Sequence, residues 1–184
     1  MRVLVLSHTR SGSTTLCKWI SKELNLNLDE TPYNYKTFNS VFESNNIIRK
    51  IVVEEYYPTK EDISKFDKVV CLTRENCTDT SISFIQSKNV DIWHNQYEIT
   101  TEWIGENENK ILEQIHKFEE MKLRLKEYKV FQTTYESIYL NKSDVDKILT
   151  YMNINSPKYL DMLSYDKKYR KDNNVFIKKH IGII

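Results

Sequence analysis

The sequence predicts an α/β fold: a central parallel sheet flanked by helices. Three observations carry that prediction. The chain opens as a strand, a polar loop and a helix in "VLVLSHTRSGSTTLCKWI". A second apolar strand, "DKVVCLT", is again followed by a helical pattern. The alternation continues with "KVFQTTY" and then "SDVDKILTYMN". Strands alternating with helices require crossover connections, which build parallel sheets covered on their faces. There is no internal repeat, linker or low-complexity tract, and 184 residues suffice for one core. We therefore read residues 1–184 as a single domain.

The elements follow in order. Arg2 to Leu6 has the short apolar pattern of a buried strand. Ser13 or Thr14 is placed to cap a helix ending near Leu24, with Leu16, Ile20 and Leu24 on one face. "NLNLDETPYNY" reads as loop, broken by Pro32, and "KTFNSVFESNN" as a short helix. In "IIRKIVVEEYYP" the β-branched run Ile51 to Val53 marks a strand that stops at Pro58. "EDISKF" is a helical turn, and "DTSISFIQSK" continues as helix after the second strong strand. The longest helical pattern runs from about Thr100 to Tyr128, with Ile111, Ile115, Phe118 and Leu125 on one face and Gly105 as a potential break. Ser143 gives a capping signal for the last helix. The tail from Tyr165 is basic with an apolar end.

Charge narrows the function. Lys and Arg total 27 against 26 Asp and Glu, so nothing pulls the whole chain toward nucleic acid or an anionic membrane. Any anion site must be local. No run approaches membrane-spanning length, and "VLVL" is too short for a signal core. Cys17, Cys71 and Cys77 show no metal-ligand spacing and read as buried thiols. A reducing, cytoplasmic setting is expected.

The opening loop has the makings of that local site. First-turn N–H groups of a helix lack intrahelical acceptors, and the helix dipole favours negative charge there. Gly12 permits close backbone approach. Ser11, Ser13, Thr14 and Thr15 add hydroxyls, and Arg10 adds a forked charge suited to phosphate or sulfate. The alternative is an ordinary loop with a Ser/Thr cap. An ATP-hydrolysing P-loop would need two glycines framing four residues, then Lys-Ser/Thr; this loop has one glycine and no lysine before Lys18. The second strand repeats the arrangement. It ends at Thr73-Arg74, and Ser81 and Ser83 follow on the next helix. Two anion sites on one sheet edge imply a ligand with two separated anionic groups.

At this point the sequence resembles the sulfotransferase family. "SHTRSGSTTL" is similar to the family's 5′-phosphosulfate loop, and "CLTRENCTDTSISF" to its 3′-phosphate motif. "SISFIQSKNVDIWH" is similar to the segment after that motif in bacterial carbohydrate sulfotransferases of the trehalose-sulfating kind. The long helix followed by "KVFQTTYESI" resembles a later helix, strand and Tyr-Glu turn. The likeness covers most of residues 1–155. It implies a P-loop-like three-layer fold and a donor, 3′-phosphoadenosine 5′-phosphosulfate, whose sulfuryl group passes without a metal to a hydroxyl of a small acceptor, a carbohydrate or another alcohol. A non-catalytic protein binding the same nucleotide and a P-loop kinase for a small substrate are the competing readings.

The resemblance also implies roles. Arg10, Ser11, Gly12, Ser13, Thr14 and Thr15 would hold the 5′ end of the donor, and Arg10 would stabilise the leaving phosphate. Arg74 would take the 3′ phosphate with Ser83, or with Ser81, as its partner. Cytosolic members carry a tryptophan in the first loop against adenine; this chain has Thr15 there, and Trp19 a turn later. The general base in carbohydrate-type members is a glutamate in the loop after the first helix, which points to Glu30. Glu54, Glu55 and His94 are the other candidates. The aromatic segments Tyr33–Phe42 and Trp93–Trp103 would shape the acceptor pocket. "YRKDNN", with Arg170 and Lys171, resembles a basic clasp over the 3′ phosphate.

Overall fold

The computed structural model describes residues 1–29, 45–54, 56–89 and 101–164. Glu30, Glu55, His94, the segment Tyr33–Phe42 and the tail with Arg170 and Lys171 lie outside the described residues. Five strands form one sheet: β1 (Arg2–Ser7), β2 (Asn27–Asp29), β3 (Ile47–Val52), β4 (Lys68–Thr73) and β5 (Phe131–Thr134). Their order is β2-β3-β1-β4-β5, and every neighbouring pair is parallel. The helices are α1 (Ser13–Leu24), α2 (Lys60–Ser64), α3 (Cys77–Asn89), α4 (Thr101–Lys126) and α5 (Val145–Met152), with a π-helix at Glu136–Leu140 and a 3₁₀ turn at Leu160–Leu163.

The described residues divide between two compact units. The first spans Met1–Glu75 and Met121–Tyr165 and contains the whole sheet. It is built in three layers because the strands are apolar on both faces. Val3, Val5, Val70 and Leu72 face a core completed by Leu16, Trp19 and Ile20 of α1 and Ile148 and Met152 of α5. The alternate residues Leu4, Leu6, Val69 and Cys71 face a second core with Phe66 and Leu125. Side chains at successive strand positions point to opposite faces, so one unbroken apolar run feeds both layers. The second unit includes Asn76–Glu120. There Ile82 and Ile85 of α3 pack with Ile104 and Ile111 of α4, and Trp103 lies against that cluster.

Several sequence expectations are corrected. Asn27–Asp29, read as loop, is the edge strand β2, and β3 begins at Ile47 rather than Ile51. A charge explains both misreadings. Arg49 sits opposite Asp29 in the β2/β3 register and is 1% exposed. It donates to Asp29 Oδ2 from Nε at 3.1 Å and from Nη2 at 2.6 Å. A buried guanidinium interrupts an apolar pattern while holding two strands together. Gly105 does not divide α4, which is continuous from Thr101 to Lys126; an exposed interior glycine costs only about 1 kcal/mol against alanine. Ser143 does not cap α5. Asp144 occupies that position, and its carboxylate accepts from Lys147 Nζ and Thr133 Oγ1 instead. Among the described residues, no helix is long and apolar enough to cross a membrane.

Candidate functional site

β1 is the middle strand, and the chain leaves it toward β2 on one side while β4 leads to β5 on the other. The direction of winding therefore reverses between β1 and β4. Open α/β sheets bind ligands outside the strand C-termini at such a point. The loop His8–Gly12 and the residues after β4 both emerge there, because Ser7 and Leu72, near the ends of these strands, are register partners.

The loop is tightly specified. Arg10 and Gly12 both have left-handed backbones, at φ 63° and 84°. Gly12 is the residue before α1, and its carbonyl accepts the first helical bond, from Leu16 N–H, at 3.2 Å. Two tyrosines explain why it is glycine. A Cβ there would lie 2.8 Å from the Tyr135 ring and 3.0 Å from the Tyr139 ring. Tyr139 donates its hydroxyl proton to the Gly12 carbonyl at 2.9 Å. Both come from the turn after β5. Ser11 is fully buried, and its hydroxyl has no hydrogen-bond partner among the described residues. Ser13 is also buried, whereas Thr14 and Thr15 are exposed at the start of α1.

Arg74 is joined to this loop. Its Nη1 donates to the Arg10 carbonyl at 3.4 Å, and its backbone N–H donates to His8 Nε2 at 3.0 Å. Its guanidinium lies 4.6 Å above the Tyr135 ring and 3.8 Å from a Glu136 oxygen. Burial, and then the proximity of Arg74, holds the Arg10 pKa below the ordinary arginine value. Two guanidiniums share one partly desolvated strand end, which favours an anion there.

His8 couples the two strand ends. Nδ1 faces the Thr9 carbonyl at 2.9 Å, so it carries the proton and donates it, while Nε2 accepts from Arg74. Burial pushes the His8 pKa down from 6.5 to about 4, with Arg74 and Lys122 lowering it further and the Thr9 bond opposing them. The unfolded chain takes up a proton near pH 6.5 while the folded one resists until about 4. Stability should therefore fall with pH across that window, by about 1.4 kcal/mol per unit and about 3 kcal/mol in all. Denaturant unfolding at pH 7 and 4.5 checks this. His8→Gln should lose about 2–3 kcal/mol less stability on acidification than the native chain; an equal loss would place the acid sensitivity elsewhere.

The remaining sequence candidates fall as follows. Ser81 and Ser83 are on α3, in the second unit. Ser81 is fully buried and donates its hydroxyl proton to the Cys77 carbonyl at 2.7 Å, whereas Ser83 is half-buried. Trp19 is fully buried and donates to Glu23, so its ring belongs to the core. Glu54 follows β3, and its carboxylate accepts the Thr9 N–H at 2.7 Å, directly against the loop. The three cysteines are buried.

Residues that sequence reasoning missed come from distant elements. Tyr135 and Tyr139, from the segment after β5, wall the loop at Gly12, and Glu136 lies against Arg74. Lys50, on β3, donates from Nζ to Thr14 Oγ1 at 2.9 Å. The loop lacks a lysine of its own, yet the fold brings one to it. The only sequence trace was a lysine set just before a β-branched run.

The fold is α/β, an all-parallel five-stranded sheet flanked by helices with a strand–loop–helix at its C-terminal edge. No protein-family model matches the chain, and no curated protein matches it. Among solved structures it is similar to the mouse sulfotransferase SULT7A1 complexed with PAP, with a TM-score of 0.56 and 16% identity over 88% of this chain. The chain spans 60% of the length of that protein. It is also similar to the YorR protein from Bacillus subtilis in complex with phosphorylated GDP, with a TM-score of 0.45 and 12% identity, over 83% of this chain and 96% of that one.

Proposed function

We propose that residues 1–184 form a sulfotransferase-like domain that moves a sulfuryl group from 3′-phosphoadenosine 5′-phosphosulfate to a hydroxyl of a small acceptor. The observation that carries this reading is the joined pair Arg10 and Arg74 at two neighbouring strand ends. A single phosphate would be served by one arginine and the start of α1. Two cationic segments on one edge suit a nucleotide with anions at both its 3′ and 5′ positions. The likeness in fold to a sulfotransferase complexed with PAP supports the same reading.

In this reading the first-turn N–H groups of α1, with Arg10 and the hydroxyls of Ser11 to Thr15, hold the 5′ end. Arg74 holds the 3′ phosphate, with Ser83 carried over from the sequence motif as its partner. Sulfuryl transfer parallels phosphoryl transfer, in which positioning and charge stabilisation do most of the catalysis. The sulfur–oxygen bond to the donor phosphate breaks, and its electron pair stays on that phosphate. The acceptor oxygen bonds to sulfur, and its proton passes to a general base. Glu30 is our choice of base, with Glu54 the described alternative.

The testing experiment is calorimetry with adenosine 3′,5′-bisphosphate and adenosine 5′-monophosphate. Arg74→Ala should weaken the bisphosphate about tenfold to hundredfold, the loss of one charged hydrogen-bonding group worth about 1.5–3 kcal/mol, and barely alter the monophosphate. Equal losses for both nucleotides would remove Arg74 from the 3′ site. Turnover on a panel of alcohol acceptors then separates an enzyme from a non-catalytic nucleotide binder, and a preference for ATP with Mg²⁺ would favour a kinase.

A further inference from the structure

We infer that Lys50 is a cation of the 5′ site, a lysine supplied by β3 to a loop that has none; this rests on the sulfotransferase reading above. The ammonium lies 2.9 Å from Thr14 Oγ1. Thr14 is the second residue of α1, so its backbone N–H is one of the first-turn donors without an intrahelical acceptor. An anion bound by those N–H groups therefore sits beside the Lys50 ammonium.

The hydrogen bond is informative in its direction. An ammonium only donates, so Thr14 Oγ1 is the acceptor, and the Thr14 hydroxyl proton is left to point at a further acceptor. An oxygen of a bound phosphate is such an acceptor. Lys50 thereby polarises the hydroxyl that would meet the anion, and it adds its own charge one atom behind. Among the described residues Lys50 forms no ion pair.

Topology makes Lys50 complementary to Arg74. β3 and β4 are the two neighbours of β1, so Lys50 reaches the loop from one side of β1 and Arg74 from the other. Arg74 serves the 3′ end in the proposed function, and Lys50 serves the 5′ end with Arg10. During transfer the electron pair of the breaking sulfur–oxygen bond collects on the 5′ phosphate. A cation at this position stabilises that charge more as it grows, which raises turnover as well as affinity.

The test compares native protein, Lys50→Met and Lys50→Arg in calorimetry with adenosine 3′,5′-bisphosphate and adenosine 3′-monophosphate. Lys50→Met should bind the bisphosphate about tenfold to hundredfold more weakly and the 3′-monophosphate unchanged. Lys50→Arg should recover most of the loss. Lys50 is half-exposed, so unliganded thermal unfolding of both variants should match the native chain. Native protein that binds the bisphosphate while Lys50→Met binds it equally well overturns the role of Lys50 alone. Native protein that binds neither nucleotide overturns the sulfotransferase reading, and the role of Lys50 with it.

Discussion

Asp29→Ala should destabilise the protein by about 3–5 kcal/mol, the usual cost of removing one partner from a buried ion pair. Arg49 is 1% exposed and donates to Asp29 Oδ2 from both Nε and Nη2. Arginine does not shed its proton, so the variant must keep a buried guanidinium that has lost this carboxylate, or expel it. Expulsion would detach β2, whose three residues pair only with β3. The double variant Asp29→Leu/Arg49→Met should recover most of the loss, because a well-packed apolar pair can replace a buried ion pair at little cost. Denaturant unfolding of the three proteins decides the matter. A loss below about 1 kcal/mol in Asp29→Ala would mean that water reaches the guanidinium.

Glu30→Gln should lower turnover by about 10² to 10⁴, the usual share of a general base, and leave affinity for adenosine 3′,5′-bisphosphate intact. The change keeps the side chain's shape and removes its ability to take a proton. The acidic limb of the rate profile should disappear with it, since that limb reports ionisation of the carboxylate. Glu54→Gln is the sharpest control. Glu54 already accepts the Thr9 N–H at 2.7 Å, a bond that a glutamine oxygen can keep. Glu55→Gln and His94→Ala complete the set. Native turnover in Glu30→Gln together with collapse in Glu54→Gln would move the base to the end of β3, against the loop itself.

What could be read from the sequence was whatever depends on local pattern. β1, α1 and β4 announce themselves through apolar runs bounded by polar turns. The loop between β1 and α1 was legible because glycine, arginine and four hydroxyls stand together in six residues. The rest depends on pairings that no local window contains. β2 is three residues long with only Leu28 apolar, and its partner is a charged residue twenty positions away. Arg49 and Lys50 fall outside the β-branched run that marked the strand, yet one is a core ion and the other reaches Thr14 at the start of α1. Tyr139 is marked by nothing in its neighbourhood as the residue that bonds Gly12. The π-helix has no pattern of its own, being a one-residue widening of a helical turn.

The contact between Tyr139 and Gly12 spans 127 positions of the chain. It is among the longest loops the described fold closes, and it walls a segment made well before the tyrosine. At about 5–20 residues per second, a ribosome needs roughly 6–25 s to travel from one residue to the other. For most of that interval the emerging strand and its hydroxyl-rich turn have neither tyrosine to lean on, although the neighbours β3 and β4 are made partway through it. High contact order of this kind slows folding and leaves the early segment waiting. On the proposed function, a nascent chain halted before Tyr135 should therefore contain the candidate anion-binding loop in full and still fail to retain nucleotide, so that affinity for the ligand becomes a readout of when synthesis has passed β5.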